Sequence, residues 1–168
     1  MVESKRLIII PLSSNQLLKY IKLDGSLESE LNLVPLTRTI SPELKDALEQ
    51  DILPRVSDST KKFIYSTLWT IVLKEKNIMV GDLCFMGEPN DLDEIEIGYG
   101  IYENFRGNGF MKEAVHAIIS WAKHQDGVKS ITAKTEKSNI ASFTILEKND
   151  FVKVSETDNL YCWNLRIV

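Results

Sequence analysis

Glu94-Ile-Glu-Ile-Gly-Tyr-Gly-Ile-Tyr-Glu-Asn-Phe-Arg-Gly-Asn-Gly-Phe-Met-Lys-Glu-Ala114 reads as a strand, a short turn with glycine at 107 and 109, and the start of an apolar helix. Glycines in such a turn let backbone N–H groups approach a ligand closely, and the helix N-terminus adds partial positive charge. Together they make an anion site suited to a phosphate or pyrophosphate. Strict alternation places Glu94, Glu96, Gly98, Gly100 and Tyr102 on one strand face and Ile95, Ile97, Tyr99 and Ile101 on the other. Two glycines inside a strand mark a bulge or a close backbone approach. A linear ligand can therefore run from the turn along the bare strand, with its far end near Glu96.

The turn is not a dinucleotide fingerprint, because its glycines lack the G-x-G-x-x-G spacing, and no Gly-Lys-Ser/Thr follows to make a phosphate-binding Walker loop. Two glycines alone would be explained by a strand-to-helix turn that needs positive φ. The flanking strand and helix, and Arg106 entering the turn, tip the reading toward anion binding. Glu94 and Glu96, taken singly, would be residues of a solvated strand face.

Working outward, the helix over about 110–125 buries Phe110, Ala114, Ala117, Ile118, Trp121 and Ala122, while Lys112, His116, Ser120, Lys123 and His124 form its polar stripe. Both histidines are thus solvated and discarded as catalysts. A strand over 128–135, a helix over 139–149 capped by Asn139, and strands over 151–155 and 160–167 follow. Upstream, residues 5–11 make a first strand, and Ser13-Ser-Asn-Gln16 has the form of a capping box. Ser41-Pro42-Glu43 begins another helix. Residues 67–73 and 78–86 form a hairpin. The stretch from about 24 to 66 carries the weakest signal. The element order gives an α/β (α+β) fold in one domain spanning 1–168, with a mixed, largely antiparallel sheet.

The chain has 168 residues, enough to bury a core without staples. Its net charge of -4 argues against a nucleic-acid partner, which a basic face would attract. Trp69, Trp121 and Trp163 sit in core-like patterns, without the basic surroundings of a base-stacking surface. The opening apolar run is too short for a signal peptide or a membrane span, which gives no membrane partner. Cys84 and Cys162 lie in strand-like apolar contexts and read as buried free thiols in a reducing, cytoplasmic setting. Their spacing fits no metal motif, and two histidines are too few for a histidine-based metal site; no metal is expected.

Three clusters in this order resemble the GNAT superfamily of acyl-CoA-dependent N-acyltransferases, most closely its ribosomal-protein N-terminal acetyltransferase-like branch. They are Glu96-Ile-Gly-Tyr, Arg106-Gly-Asn-Gly-Phe-Met-Lys-Glu-Ala114, and Asn139-Ile-Ala-Ser142 with Leu146-Glu-Lys148 before Phe151. Arg6-Leu-Ile-Ile-Ile-Pro-Leu-Ser also looks like that branch's first strand and turn. The likeness covers about 94–155, extends to 3–22 and 67–86, and is weak between. It implies a sheet splayed between the fourth and fifth predicted strands, with acetyl-CoA in the gap as acyl donor. Arg106, Gly107, Asn108, Gly109, Phe110 and Met111 would then hold the pyrophosphate, mainly by backbone N–H groups. Pantetheine would pair with the strand edge at Gly100 and Ile101, and Asn139 and Ser142 would face its thiol end. Four positions depart from the family pattern. Met111 stands where a small residue ends the turn, Glu103 replaces a frequent proline, and Asp150 replaces a common glycine. Leu146 occupies the place of the tyrosine that protonates the leaving thiolate in many members.

The expected reaction is direct acetyl transfer to a primary amine, either a peptide N-terminus or a small molecule. Glu96, directly or through a water, is the candidate base, which burial would have to tune upward from about 4.3. Amides of a bulged strand would polarise the thioester carbonyl, and Ser142 would assist the thiolate. The competing readings are a catalytically inactive CoA-binding regulatory module and an interaction domain with no nucleotide site. A homodimer through the last strand is compatible with the pattern.

Overall fold

Alternating apolar residues along the strands resolve into one eight-stranded sheet in the computed structural model, which describes residues 1–168. The strands are β1 (Val2–Glu3), β2 (Leu7–Pro11), β3 (Leu68–Leu73), β4 (Ile78–Phe85), β5 (Glu94–Ile101), β6 (Ser130–Glu136), β7 (Val152–Glu156) and β8 (Leu160–Arg166), in the spatial order β1-β2-β3-β4-β5-β6-β8-β7. Only β5 and β6 run parallel, and they pair only from Glu94↔Ser130 to Ile97↔Ala133. Past Ile97 the two strands part. This is the expected splay between the fourth and fifth predicted strands, here β5 and β6 because β1 precedes them.

The parity read for β5 holds. Ile95 and Ile97 enter a core cluster with Tyr99 and Ile101 packed against it, beneath α6 (Phe110–Ala122) and α7 (Ile140–Glu147). A second cluster covers the opposite face, built from Leu12, Leu17, Tyr20, Leu68, Val72 and Met79. Its helices are α1 (Ser14–Lys22), α2 (Ser26–Glu30), α3 (Pro42–Ala47), a π-helical turn at Leu48–Ile52, and α4 (Leu53–Ser57); α5 (Phe63–Ser66) leads into β3. The capping box before α1 is present: Gln16 N donates to Ser13 Oγ at 3.2 Å and Ser13 N to Gln16 Oε1 at 2.9 Å. Ser41 caps α3 as expected. The helices α2 and α5 carry no side-chain cap and lie within the stretch that read weakly.

The bulge expected in β5 is not there. Its register with β4 is continuous from Phe85↔Ile97 to Gly81↔Ile101. The irregularity lies instead between β3 and β4, where Ile71 faces Gly81 and Val72 faces Met79, leaving Val80 as the extra residue. A bulge reverses the side-chain parity of its strand. Accordingly Ile78, Val80, Leu83 and Phe85 point to the α6 side, whereas Met79 and Asp82 face the other. A Cβ on Gly81 would meet the Gly100 carbonyl oxygen at 2.5 Å, so only glycine fits at this kink.

Two departures from the family pattern find physical reasons. Asp150 has φ +64, the left-handed conformation that a glycine would adopt freely and that aspartate tolerates. Met111 does not crowd the helix start; its side chain is 3% exposed and fills the core. Trp69 and Trp163 are buried, and Trp121 packs with Trp69, Tyr65 and Phe85, confirming all three tryptophans as packing residues. Cys84 and Cys162 are free but partly exposed rather than fully buried. No helix is long and apolar enough to cross a membrane.

Candidate functional site

The parting of β5 from β6 opens a cleft of about 560 Å³ between the turn 105–112 and α7. Tyr99, Gly100 and Ile101 form its floor, and Asn139, Ala141, Ser142, Thr144, Ile145 and Lys148 its far wall. Met86 N donates to Glu96 O and Tyr102 N to Val80 O, so even-numbered β5 residues bond toward β4. The amides and carbonyls of Tyr99 and Ile101 consequently point toward β6, beyond the last paired rung. That free edge can pair with an extended, amide-bearing ligand.

The near wall is the glycine turn. Gly107 and Gly109 have φ +77 and +73, and Gly109 is the N-cap of α6 without any side-chain cap. None of the amide N–H groups from Gly107 to Lys112 donates to a protein acceptor; the first N–H after them to do so is Glu113's, to Gly109 O at 3.1 Å. A run of unpaired N–H groups at the positive end of a helix is what a pyrophosphate requires. Asn108 holds the turn from inside, its Nδ2 donating to Phe105 O at 3.1 Å and Arg106 O at 3.0 Å. Arg6 braces it from β2: Nη1 donates to Asn108 O at 3.1 Å and Nε to Glu113 Oε2 at 2.6 Å.

Arg106, Gly107, Gly109, Phe110 and Met111 all line the cleft, with Asn139 and Ser142 facing them. Met111, buried in the core, can contribute there through its backbone. Asn108, expected among the phosphate-binding residues, does not line the cleft; its side chain is bonded back onto the turn's own carbonyls. Two cations missed by the sequence reading, Lys112 and Lys148, join Arg106 at the rim. Lys148 lay within the quoted motif Leu146-Glu-Lys148, which was the signal available for it.

Ser142 sits in the first turn of α7, its N–H donating to the Asn139 Oδ1 cap at 3.1 Å. Its neighbour in the cleft is Tyr99, which the alternation had placed only on a core face. The Tyr99 hydroxyl donates to Ser142 O at 3.0 Å and accepts from Ser142 Oγ at 3.4 Å. Burial pushes the Tyr99 phenol up to about 12 against the Ser142 hydrogen bond, so it stays protonated. Leu146 is fully buried and offers nothing to the cleft.

Glu96 is not in the cleft. It lies on the other sheet face, where its Oε2 accepts from Lys134 Nζ at 2.9 Å, and its side chain remains 30% exposed. Its carboxylate is engaged by Lys134 rather than turned toward the donor cleft. Glu94 is structural, accepting from Ser130 Oγ at 3.1 Å and Asn164 Nδ2 at 3.2 Å. His116 is exposed on α6, and His124 is exposed in the turn just past its end. No group of three or more His, Cys, Asp or Glu residues is placed to hold a metal ion. A shallower depression of about 880 Å³ runs between β1 and the outer face of α6, and it borders the turn only through Gly109 and Lys112.

Comparison with known proteins bears on the family and the fold. Residues 6–152 match the family described as acetyltransferase (GNAT) domain. Over 84 residues the chain is 37% identical to an uncharacterized N-acetyltransferase, YjdG, of Bacillus subtilis; the match covers 50% of this chain and 50% of that protein, so the chain spans about half the length of this relative. The fold matches that of a GNAT-family acetyltransferase from Bacillus anthracis with a TM-score of 0.68 at 14% identity, covering 99% of this chain and 98% of the other. It also matches RimL, a ribosomal L7/L12 alpha-N-protein acetyltransferase solved with coenzyme A, with a TM-score of 0.68 at 18% identity over 97% and 95% of the two chains.

Proposed function

The chain belongs to the GNAT acetyltransferase family, and from that premise we propose that it transfers an acetyl group from acetyl-CoA directly to a primary amine. The observation that carries this reading is the row of unpaired amides from Gly107 to Lys112 beside the free edge of β5. The pyrophosphate would lie on those amides, with Arg106, Lys112 and Lys148 supplying charge around it. Pantetheine would extend along Tyr99 and Ile101. Its thiol end would reach Ser142, whose hydroxyl would turn away from Tyr99 to donate its one proton to the departing thiolate.

The acceptor approaches from the face that bears Glu96. Glu96 and Lys134 stand on the two strands at the mouth of the split, beside the last paired rung. We assign Glu96 to capture of the acceptor's ammonium, in competition with Lys134. An ammonium has no lone pair, so a proton must leave before nitrogen attacks the thioester carbon. Likeness to the RimL fold makes a peptide N-terminus the first acceptor class to try, with small amines second. Two unpaired cysteines suit a reducing, cytoplasmic setting.

Isothermal titration with acetyl-CoA and with desulfo-CoA, on the wild type and on Arg106→Ala, tests the donor site. Both ligands should bind the wild type, and the substitution should weaken each several-fold. Absence of binding to the wild type would overturn the donor reading. Thiol release with a panel of peptides and amines then separates an enzyme from a binding module, since a module binds CoA and releases no thiol.

A further inference from the structure

The sheet face opposite α6 holds a buried polar cluster that the donor cleft does not use. Asp82 lies in the middle of β4, 5% exposed, in a strand otherwise rich in apolar residues. The bulge at Val80 turns it toward α1, where the Tyr20 hydroxyl donates to its Oδ2 at 2.6 Å. Tyr20 and Tyr102 hydroxyls lie 3.5 Å apart. Tyr20 has one hydroxyl proton, and it points to Asp82. Tyr102 is therefore the donor in the second contact, and the chain runs one way, from Tyr102 to Tyr20 to Asp82. The lone pairs of the Tyr102 oxygen remain available, and Tyr102 is partly exposed.

The other carboxylate oxygen, Asp82 Oδ1, is buried without a hydrogen-bond partner. A desolvated, half-satisfied carboxylate costs stability, which points to a use in the reaction. Open space lies instead over its cross-strand neighbour, Gly100. Gly100 pairs with Asp82 across the strands on the same face, is exposed, and a Cβ there would meet nothing within 4 Å. Gly100 also borders the donor cleft. An amine resting over Gly100 would thus stand between the thioester and Tyr102.

Resting on the acetyl-transfer reading, we propose that Tyr102 takes a proton from the acceptor ammonium and relays the charge through Tyr20 to Asp82, the proton store of the reaction. One N–H bond of the ammonium breaks and its proton joins the Tyr102 oxygen. The Tyr102 proton moves to Tyr20, and the Tyr20 proton to Asp82 Oδ2. Both tyrosines end as they began, the carboxylate has become a carboxylic acid, and the nitrogen has its lone pair. Attack on the thioester carbonyl then breaks the C–S bond, and the nitrogen's surplus proton leaves with the thiolate. Asp82 returns its proton to solvent through the same chain.

Groups facing Asp82 from each packed element fit this role. Burial raises its carboxyl to about 6, against the lowering influence of the nearby Tyr20 and Tyr102 hydroxyls, the charge of Arg38, and Thr70 of β3. Arg38 lies 4.0 Å over the Tyr20 ring and donates to Tyr20 O at 3.0 Å and to Glu28 of α2 at 3.2 Å. Cys84, next on the same face of β4, is pushed up to about 11 and stays neutral. Asp82 is therefore ionised at neutral pH, yet close enough to neutrality to be reloaded.

Two measurements test the relay. In protein labelled with carbon-13 at aspartate carboxyls and saturated with desulfo-CoA, the resonance missing from Asp82→Asn should titrate near pH 6. Methylammonium should shift that titration, and Tyr102→Phe should abolish the response. In thiol-release assays, Asp82→Asn should lower kcat at least 30-fold and remove the acidic limb of the pH profile, with acetyl-CoA KM within about twofold. Should Asp82→Asn not fold, Tyr102→Phe, expected to lower kcat about tenfold, carries the kinetic test. An Asp82 resonance indifferent to methylammonium, or unchanged turnover and pH profile in the variants, would overturn the relay. Wild-type protein that acetylates no amine would sink the acetyl-transfer reading instead, and the resonance measurement would still decide the relay.

Discussion

Burial drives the Asp82 carboxyl up to about 6 from an ordinary 3.8, so folding disfavours its charged form. Its sign follows from linkage: a raised native value contributes stability below the unfolded value, and that contribution is lost as pH rises through the native value. The window is therefore about pH 4 to 7, and the displacement corresponds to about 3 kcal/mol. Urea unfolding of the wild type should show this loss across the window, and Asp82→Asn should not. Parallel curves for the two proteins would refute the placement of a charged group here. Glu113 acts in the opposite direction and at lower pH. Burial raises its carboxyl, but hydrogen bonds from the Arg6 amide, Ser4 and the Arg6 side chain outweigh that and lower it, so its contribution is lost on acidification. Asp82 was not legible as a site residue, because a lone aspartate in an apolar strand gives no partner in sequence. Its partners Tyr20 and Tyr102 lie 62 residues before and 20 after, and only the fold joins them.

Local signals were the legible ones at the scale of the element. The capping box, the alternation of β5 and the paired glycines each depend on residues a few positions apart, and each holds. The β4 bulge does not depend on local residues: it is set by the close crossing of Gly81 and the Gly100 carbonyl, 19 residues later. Hence the two glycines of β5 suggested a bulge on the wrong strand. Gly81→Ala should drive a Cβ into that carbonyl and cost about 2–4 kcal/mol, read as a fall in the urea midpoint. A midpoint within experimental error of the wild type would show that the kink can relax. Gly107→Ala meets no neighbour within 4 Å, so its cost is the positive φ alone, about 1 kcal/mol. The brace on the turn is separable from its stability. Arg6 is 42% exposed, so its ion pair with Glu113 adds at most about 1 kcal/mol, but it also fixes the Asn108 carbonyl. Arg6→Ala should therefore lower acetyl-CoA affinity several-fold by calorimetry while moving the melting temperature by only a few degrees. Loss of stability without loss of affinity would make Arg6 a fold residue only.

Across the whole molecule, one sheet separates two apolar clusters, and the donor cleft exists because that sheet fails to close beyond Ile97. Sequence patterning could place the strands but not the rung at which β5 and β6 part, since the pairing of two strands about 30 residues apart leaves no local signal of where it ends. The cations Lys112 and Lys148 and the hydroxyl of Tyr99 were unreadable as site groups for the same reason: each sits in an ordinary amphipathic pattern, and only the opening turns them toward one volume. An open edge leaves the amides of Tyr99 and Ile101 and those from Gly107 to Lys112 without protein partners. A ligand that fills the split should therefore act as the missing rung. Desulfo-CoA at about 100 times its dissociation constant should stabilise the protein by about 2.7 kcal/mol, a rise of roughly 5–10 °C in melting temperature. Hydrogen exchange should slow in two segments at once, 99–101 and 107–112, with the polar cluster around Asp82 unaffected because it lies on the other face. Protection confined to the turn would mean that only the nucleotide end is held and that the strand edge does not pair with pantetheine. Protection in both segments would tie the parting of β5 and β6 to the donor's full length, and would leave the opposite face, with Glu96 and Gly100, as the route by which an amine reaches the thioester.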